Sequence, residues 1–233
     1  MAVQMRSRLL IIPAKGYSKR IKEKNIKNFF GKPVISYILN NAKKSNLFNK
    51  IHVSTESKKV VKIVEKQGFK IDFLRPKKLS QDKIPTIEVL RFVYKEYLKL
   101  KYSFDEVWTI SSCTPLLKKE DLIKASKNVN KNKILLSITK FDAPVEWAFS
   151  IKNKGNLKPL FPKKLFENSQ KFSKKYHDAG AFAVFPISFL KKTNINLENN
   201  FKGFVLPKER AIDIDHKEDW KLAELLFKAQ LKK

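Results

Sequence analysis

The feature that most constrains this chain is a rhythm in which short apolar runs alternate with longer segments whose apolar residues recur at helical spacing. Arg8 to Ala14 is an apolar run that ends in a Lys/Gly/Ser loop, so it reads as a buried strand. Pro33 starts a helix through about Lys44, with Ile35, Ile38, Leu39 and Ala42 on one face. Ile51 to Ser54 reads as a second strand, Lys58 to Gln67 as a helix closed by Gly68, and Ile71 to Leu74 as a third short strand. Thr86 to Leu98 repeats Ile87, Leu90, Val93, Tyr94 and Tyr97 at helical spacing. Strand Glu106 to Ser111, helix Lys119 to Val129 and strand Ile134 to Ile138 follow. Strands and helices in this order predict an α/β fold with a mostly parallel central sheet and ligands at the carboxyl ends of its strands.

A chain of 233 residues suits one sizeable core, so residues 1–233 are expected to form a single domain. From about 141 to 201 the helical rhythm breaks into Pro-punctuated pieces, which predicts an inserted arm. Asp213-Ile214-Asp215 then precedes an amphipathic helix carrying Trp220, Ala223, Leu226 and Phe227. Pro13 and Lys15 cut the first apolar run short of a signal-peptide core, and no later run approaches the roughly 20 apolar residues of a membrane span. No membrane partner is expected. The single Cys113 has no disulfide partner and the three histidines lack zinc-ligand spacing, which fits a reducing cytoplasm.

The formal charge of +28 invites a nucleic-acid-binding reading. Against it, only six of the 50 basic residues are Arg, and the lysines are spread along the whole chain rather than gathered in one block. A coding bias explains that pattern better than a phosphate-tracking surface.

The loop after the first strand has more specific chemistry. Lys15, Lys19, Arg20 and Lys24 surround Gly16, whose missing side chain lets backbone amides approach an anion, so a polyphosphate is the expected guest. The pattern is neither a Walker loop nor the dinucleotide glycine pattern, and a solvated basic turn is the plain alternative. Asp213 and Asp215 alternate along an extended segment, which turns both carboxylates to one side where they can bind one hard cation. Asp219 reads as an ordinary acid in the first turn of a helix and is left out of that pair. Cys113 reads as a packed residue, because no His partner is recognisable beside it.

The order of short motifs adds what charge cannot. Ile12-Pro13-Ala14-Lys15-Gly16-Tyr17-Ser18-Lys19-Arg20-Ile21, then Lys24-Asn25-Ile26 and Gly31-Lys32-Pro33, resembles the opening signature of the CMP-sialate and CMP-pseudaminate synthetases. Val53-Ser54-Thr55, Phe73-Leu74-Arg75-Pro76 with Leu79, Asp82 and Thr86, Tyr176-His177-Asp178-Ala179-Gly180, and Asp213-Ile214-Asp215 with Glu218-Asp219-Trp220 continue the resemblance in family order over nearly the entire chain. Within that family the Ser18-Lys19-Arg20-Ile21 and Lys24-Asn25-Ile26 form is most similar to the pseudaminate branch.

The resemblance implies a three-layer, Rossmann-like nucleotidyltransferase fold whose arm serves dimerisation and the sugar site. It implies transfer of CMP from CTP to an acidic nine-carbon sugar, with Mg2+ as cofactor and a homodimer as the assembly. By it, Lys24, Asp213 and Asp215 are catalytic, and the aspartates hold the metal. Ala14, Lys15, Gly16, Ser18, Lys19, Asn25, Arg75 and Thr86 bind nucleotide, with Asn25 reading ribose or cytosine edges. Ser111, His177, Asp178 and Gly180 face the sugar. Two positions depart from the family pattern: Lys15 stands where relatives usually carry arginine, which keeps the charge but loses a bidentate fork. Ser111 stands where sialate enzymes show a glutamine-containing pattern and pseudaminate enzymes an aromatic one. Synthetases for CMP-sialate or CMP-legionaminate, and a non-catalytic relative, are the alternatives.

Overall fold

Arg8–Pro13 forms the expected first strand, β1, and Leu9, Leu10, Ile11 and Ile12 along it are completely buried. Burial on both faces is what a continuous apolar run buys in a parallel sheet covered by helices on each side. The computed structural model describes residues 6–192 and 198–232. After β1 come the small hairpin β2 (Asn28–Phe29) and β3 (Lys32–Pro33), then α1 (Ile35–Ser45), β4 (Lys50–Ser54), α2 (Lys58–Glu65) and α3 (Thr86–Lys99). β5 (Glu106–Ile110), α4 (Lys119–Ser126) and β6 (Ile134–Lys140) lead to a second hairpin, β7 (Phe149–Ile151) and β8 (Leu157–Pro159). The chain closes with β9 (Tyr176–Pro186), α5 (Ile187–Lys191), β10 (Phe201–Val205) and α6 (Lys217–Leu231).

Six strands form one sheet in the order β10-β6-β9-β5-β1-β4. β1 pairs in parallel with β4 and β5, and β6 with β10, whereas β9 runs antiparallel to both of its neighbours. Leu10 and Ile12 point into a core shared with α1, α2 and α4, and Leu9 and Ile11 into one shared with α3 and α5. The three layers of the expected α/β fold follow from this alternation. A third apolar cluster bolts α6 over the loop after β1. In it Phe29 meets Tyr37, Trp220 and Phe227 edge to face at 5.3–5.6 Å between ring centres. That clamp brings residues 213–215, just ahead of α6, to the loop carrying Lys24.

Local differences from the expected elements have local causes. Pro33 does not open α1: it pairs with Asn28 across a two-residue turn, Phe30-Gly31, with φ of 45° and 82°, the left-handed geometry that matches strand twist in a tight hairpin. Residues 71–74 form no strand, because β4 is the edge of the sheet and Phe73 instead stacks on His52 at 4.4 Å. The arm expected over 141–201 is smaller than that range: β9 lies in the middle of the main sheet, and the β7–β8 hairpin pairs apart from it. Residues 193–197 of the range, like residues 1–5 of the opening segment, lie outside the described residues. No helix among the described residues is long and apolar enough to cross a membrane.

Candidate active site

The carboxyl ends of β1 and β5 and the start of α3 enclose a cavity of about 610 Å3, lined by Lys15, Lys19, Lys24, Arg75, Asp82 and Ser112 among others. A second cavity of about 400 Å3 lies against β9, lined by Asp178, Gly180, Leu136, Phe182 and Phe185 among others. Pro13, Thr86 and Ser111 line both, so the two form adjoining halves of one cleft.

In the first half each cation is held by a named anion. Lys15 bonds Asp82 Oδ1, and Lys19 Nζ lies 2.8 Å from Asp82 Oδ2. Those two bonds hold the Asp82 carboxyl far below its ordinary range, at about 2. Lys24 Nζ donates to the Ile214 carbonyl at 2.6 Å and to Asp215 Oδ1 at 3.1 Å, and Arg20 lies 2.9 Å from Asp215 Oδ2. Glu56, at the end of β4, accepts from the Gly16 amide (2.7 Å), Ser80 Oγ (2.8 Å) and Arg75 Nη2 (3.1 Å). Burial pushes the Glu56 carboxyl up, but these three donors outweigh it and leave the group below its usual range. Arg75 is buried, and its Nε–H has no acceptor among the described residues. A buried N–H of this kind can take an acceptor from a water or a ligand.

A bulge shapes the second half. β6 and β9 pair Leu136 with Ala183 and then Ile138 with Asp178, so residues 179–182 of β9 loop out of register. The loop is pinned by the Phe182 amide on Ser137 Oγ (2.9 Å), the Ser111 amide on the Ala181 carbonyl (2.9 Å) and the Gly180 amide on Asp178 Oδ1 (2.8 Å). Gly180 has φ +63°, and a Cβ there would stand 2.9 Å from Asp213 Oδ2. The glycine therefore admits the Asp213 carboxylate against the bulge. Burial, then the neighbouring Asp215 charge, push the Asp213 carboxyl up. For Asp215 burial also raises it, but Lys24 and Arg20 outweigh burial and bring it below its usual range.

A family model described as cytidylyltransferase matches residues 9–219. The chain belongs to the cytidylyltransferase family. A pseudaminic acid cytidylyltransferase of Campylobacter jejuni is 34% identical over 223 residues, 94% of this chain and 96% of that one. The CMP-N,N'-diacetyllegionaminic acid synthase of Legionella pneumophila is 26% identical over 226 residues, 94% of this chain and 95% of that one. Among solved structures, a CMP:2-keto-3-deoxy-manno-octonic acid synthetase complexed with CTP shares the fold with a TM-score of 0.70 at 14% identity, covering 96% of this chain and 99% of that one. The protein is thus an enzyme of the cytidylyltransferase type.

Within this cytidylyltransferase fold, Lys15, Ser18, Lys19, Lys24, Asn25, Arg75 and Thr86 line the first half, and Ser111, Asp178 and Gly180 the second. Asp215 bonds the wall residue Lys24, Asp213 abuts the wall residue Gly180, and the buried Ile214 between them keeps both carboxylates on the side away from the core.

Three expectations change and a fourth is extended. Ala14 is fully buried, with its amide on the Ser54 carbonyl at 2.9 Å, so it supports the loop from the core and is absent from the cavity wall. Gly16 gives its amide to Glu56, and a Cβ there would meet Ser57 Cβ at 2.5 Å, so this glycine serves the approach of loop to α2. Asn25 donates to the Lys15 carbonyl and accepts from Ser112 Oγ, each at 2.7 Å, so it braces the loop from its place on the cavity wall, with one amide N–H beyond those two bonds. His177 packs on Phe141 at 4.7 Å and donates Nδ1–H to the Asp178 carbonyl; next to Asp178 on a strand, it falls on the opposite face, outside the cavity.

Cys113 is buried, and burial raises its thiol to about 11, so it is the inert packed residue expected. Asp219 accepts from the Asp215 and His216 amides at 2.9 and 2.7 Å and caps α6. Glu56 was not among the expected site residues, although a carboxylate just past the strand beside β1 is the kind of position that organises such a loop.

Proposed function

We propose that the enzyme transfers CMP from CTP to a nonulosonic acid, pseudaminic acid in the first place, with release of pyrophosphate. The observation that carries this reading is the divided cleft: a half rich in lysine and arginine adjoins a half with apolar walls, whose wall residue Gly180 abuts the Asp213 carboxylate. The identity to pseudaminic acid cytidylyltransferase exceeds that to the legionaminic acid synthase, which orders the two sugars.

In the proposed reaction the anomeric hydroxyl of the 2-keto sugar acid attacks the α-phosphorus of CTP and gives up its proton to solvent, the bond from that phosphorus to the bridging oxygen breaks, and pyrophosphate departs. Lys15 and Lys19 balance the charge of the leaving group, and the open Arg75 Nε–H takes an acceptor of the nucleotide. Lys24 fixes the 213–215 segment against the loop. Asp213 and Asp215 fit Mg2+, a hard cation commonly held by one or two carboxylates with substrate phosphates filling the remaining positions. The raised Asp213 carboxyl fits too, since a cation relieves the repulsion from Asp215. Once bound, Mg2+ would supply charge neutralisation at the phosphates. Use of CTP puts the reaction in the cytoplasm. The arm leaves Ile151, Leu157 and Phe166 exposed, Phe166 at 95%, which supports a homodimer; a monomer by light scattering would remove that part of the reading.

The test is pyrophosphate release from CTP and Mg2+ with pseudaminic, legionaminic or N-acetylneuraminic acid, for wild type and Asp213→Ala. Release with pseudaminic acid that disappears in the variant is expected. Release with another of the three sugars alone would move the reading to that branch, and silence with all would favour a non-catalytic relative.

A further inference from the structure

Asp82 stands where the proposed reaction has no use for an acid. It lines the nucleotide half of the cleft and neutralises Lys15 and Lys19, two lysines of the loop that should meet the triphosphate. A carboxylate bonded to both competes with phosphate oxygens for the same ammonium groups, since each lysine in this arrangement donates to Asp82 before any ligand arrives.

The surroundings make the contact reversible. The root of the segment that bears Asp82 is fixed: Ser80 Oγ and Arg75 bond Glu56, the Arg75 amide bonds the Thr55 carbonyl at 2.8 Å, and the Ile84 amide bonds the Gln81 carbonyl at 3.1 Å. The Asp82 side chain itself is about half exposed, so it can turn into solvent without moving the segment that carries it. The neighbours Lys77, Lys78 and Lys83 are cations as well, which leaves Asp82 as the acid of its stretch. Its low pKa, about 2, keeps it charged at neutral pH.

We infer that Asp82 is an internal stand-in for the triphosphate, holding Lys15 and Lys19 in the empty site, yielding them to the phosphates of CTP and reclaiming them as pyrophosphate leaves. The inference rests on the proposed use of CTP at this site. It makes Asp82 a residue that weakens substrate binding and speeds product release. The cost of breaking two exposed ion pairs, each worth a factor of about three and at most about five, amounts to about tenfold in affinity.

The experiment is calorimetric titration of the full-length protein, without sugar, with CTP, inorganic pyrophosphate and cytidine, for wild type, Asp82→Asn and Asp82→Glu. Asp82→Asn should bind CTP and pyrophosphate about tenfold more tightly, with cytidine unchanged because it carries no phosphate. Asp82→Glu, which keeps the charge, should remain within about threefold of wild type, and circular dichroism of all three proteins checks that they are folded. In turnover, Asp82→Asn should show a lower KM for CTP and stronger inhibition by added pyrophosphate. Unchanged or weaker binding of CTP and pyrophosphate by a folded Asp82→Asn would overturn the inference and make Asp82 a support for the lysines. Failure of wild type to bind CTP would instead overturn the proposed function.

Discussion

Around the nucleotide half of the cleft, Lys15, Lys19, Arg20, Lys24 and Arg75 are each paired with a carboxylate of the same chain, whereas no cation among the described residues lines the half against β9. One half stores positive charge and shields it until a ligand comes. The other presents Leu136, Phe182 and Phe185 beside the acid Asp178. An acidic sugar seated there would find its counter-charge across the shared wall of Pro13, Thr86 and Ser111, where Arg20 and Lys24 line the first half, or on a second copy of the chain. The contrast teaches that affinity is built on the nucleotide side and alignment at the junction. Substitutions in the two regions should therefore fail differently.

The largest effect is expected at the junction. Asp213→Asn should lower kcat by about a thousandfold while CTP affinity stays within a few-fold, because the lost group acts on the reacting centre and the lysine cluster is untouched. Single-turnover kinetics with separate CTP titration measure the split. A parallel loss of CTP binding would erase the distinction between the halves.

Glu56→Gln attacks the nucleotide side from beneath. It removes the charge opposite the buried Arg75, which should cost about 3 kcal/mol of stability, or roughly 6–12 °C in Tm for a chain of this size. Gln keeps one acceptor oxygen, so it cannot accept both from the Gly16 amide and from Arg75 and Ser80, and with the loop held on one side only, KM for CTP should rise more than kcat falls. A thermal melt and initial rates check both.

The floor under that side also carries a pH weakness. His52 on β4 is fully buried against Phe73, with Tyr97 Oη at 3.0 Å from Nδ1, and Asp72 and Lys50 beyond it. Burial lowers its pKa to about 4 from an ordinary 6.5, and the Lys50 charge adds to this against the opposing pull of Asp72. The fold therefore favours neutral His52. That contribution is fully present above pH 6.5 and is lost as pH falls toward 4, about 3 kcal/mol in all. Denaturant midpoints taken from pH 7.5 to pH 4 should show this slope in wild type and a flatter one in His52→Gln, whatever the variant's absolute stability.

Much of this contrast was legible in the chain before its structure. The basic loop and the alternation of Asp213, Ile214 and Asp215 depend on neighbours in sequence, and the wall lysines and the outward aspartates lie where such local patterns put them. The antiparallel course of β9 was not legible, because strand direction depends on where the preceding arm delivers the chain, and alternation reads the same in either direction. The bracing role of Asn25 was hidden for a related reason: a side-chain amide serves ligand or protein equally well, and only the position of Ser112, 87 residues away, shows the brace. Glu56 escaped, and Asp82 stood out only as part of a motif with no role of its own, because a carboxylate that organises a loop across the fold leaves no spacing signature.

Gly180 separates local from long-range information most finely, and it gives the smallest of the expected effects. Its φ of +63° alone predicts that Gly180→Ala costs about 1 kcal/mol, since alanine adopts that backbone with strain. A Cβ 2.9 Å from Asp213 Oδ2 adds a displacement of the carboxylate itself, and a shift of that kind at a reacting centre lowers kcat by about tenfold or more. CTP affinity should not change, because among the described residues the partners of Lys15, Lys19 and Arg75, namely Asp82, Asn25, Glu56 and Thr55, are not those that pin the bulge. If stability fell by that amount with kcat intact, the bulge would be only a fold feature and the junction would have to lie elsewhere. A fall in kcat together with unchanged CTP binding would locate alignment where the second half of the cleft meets the first.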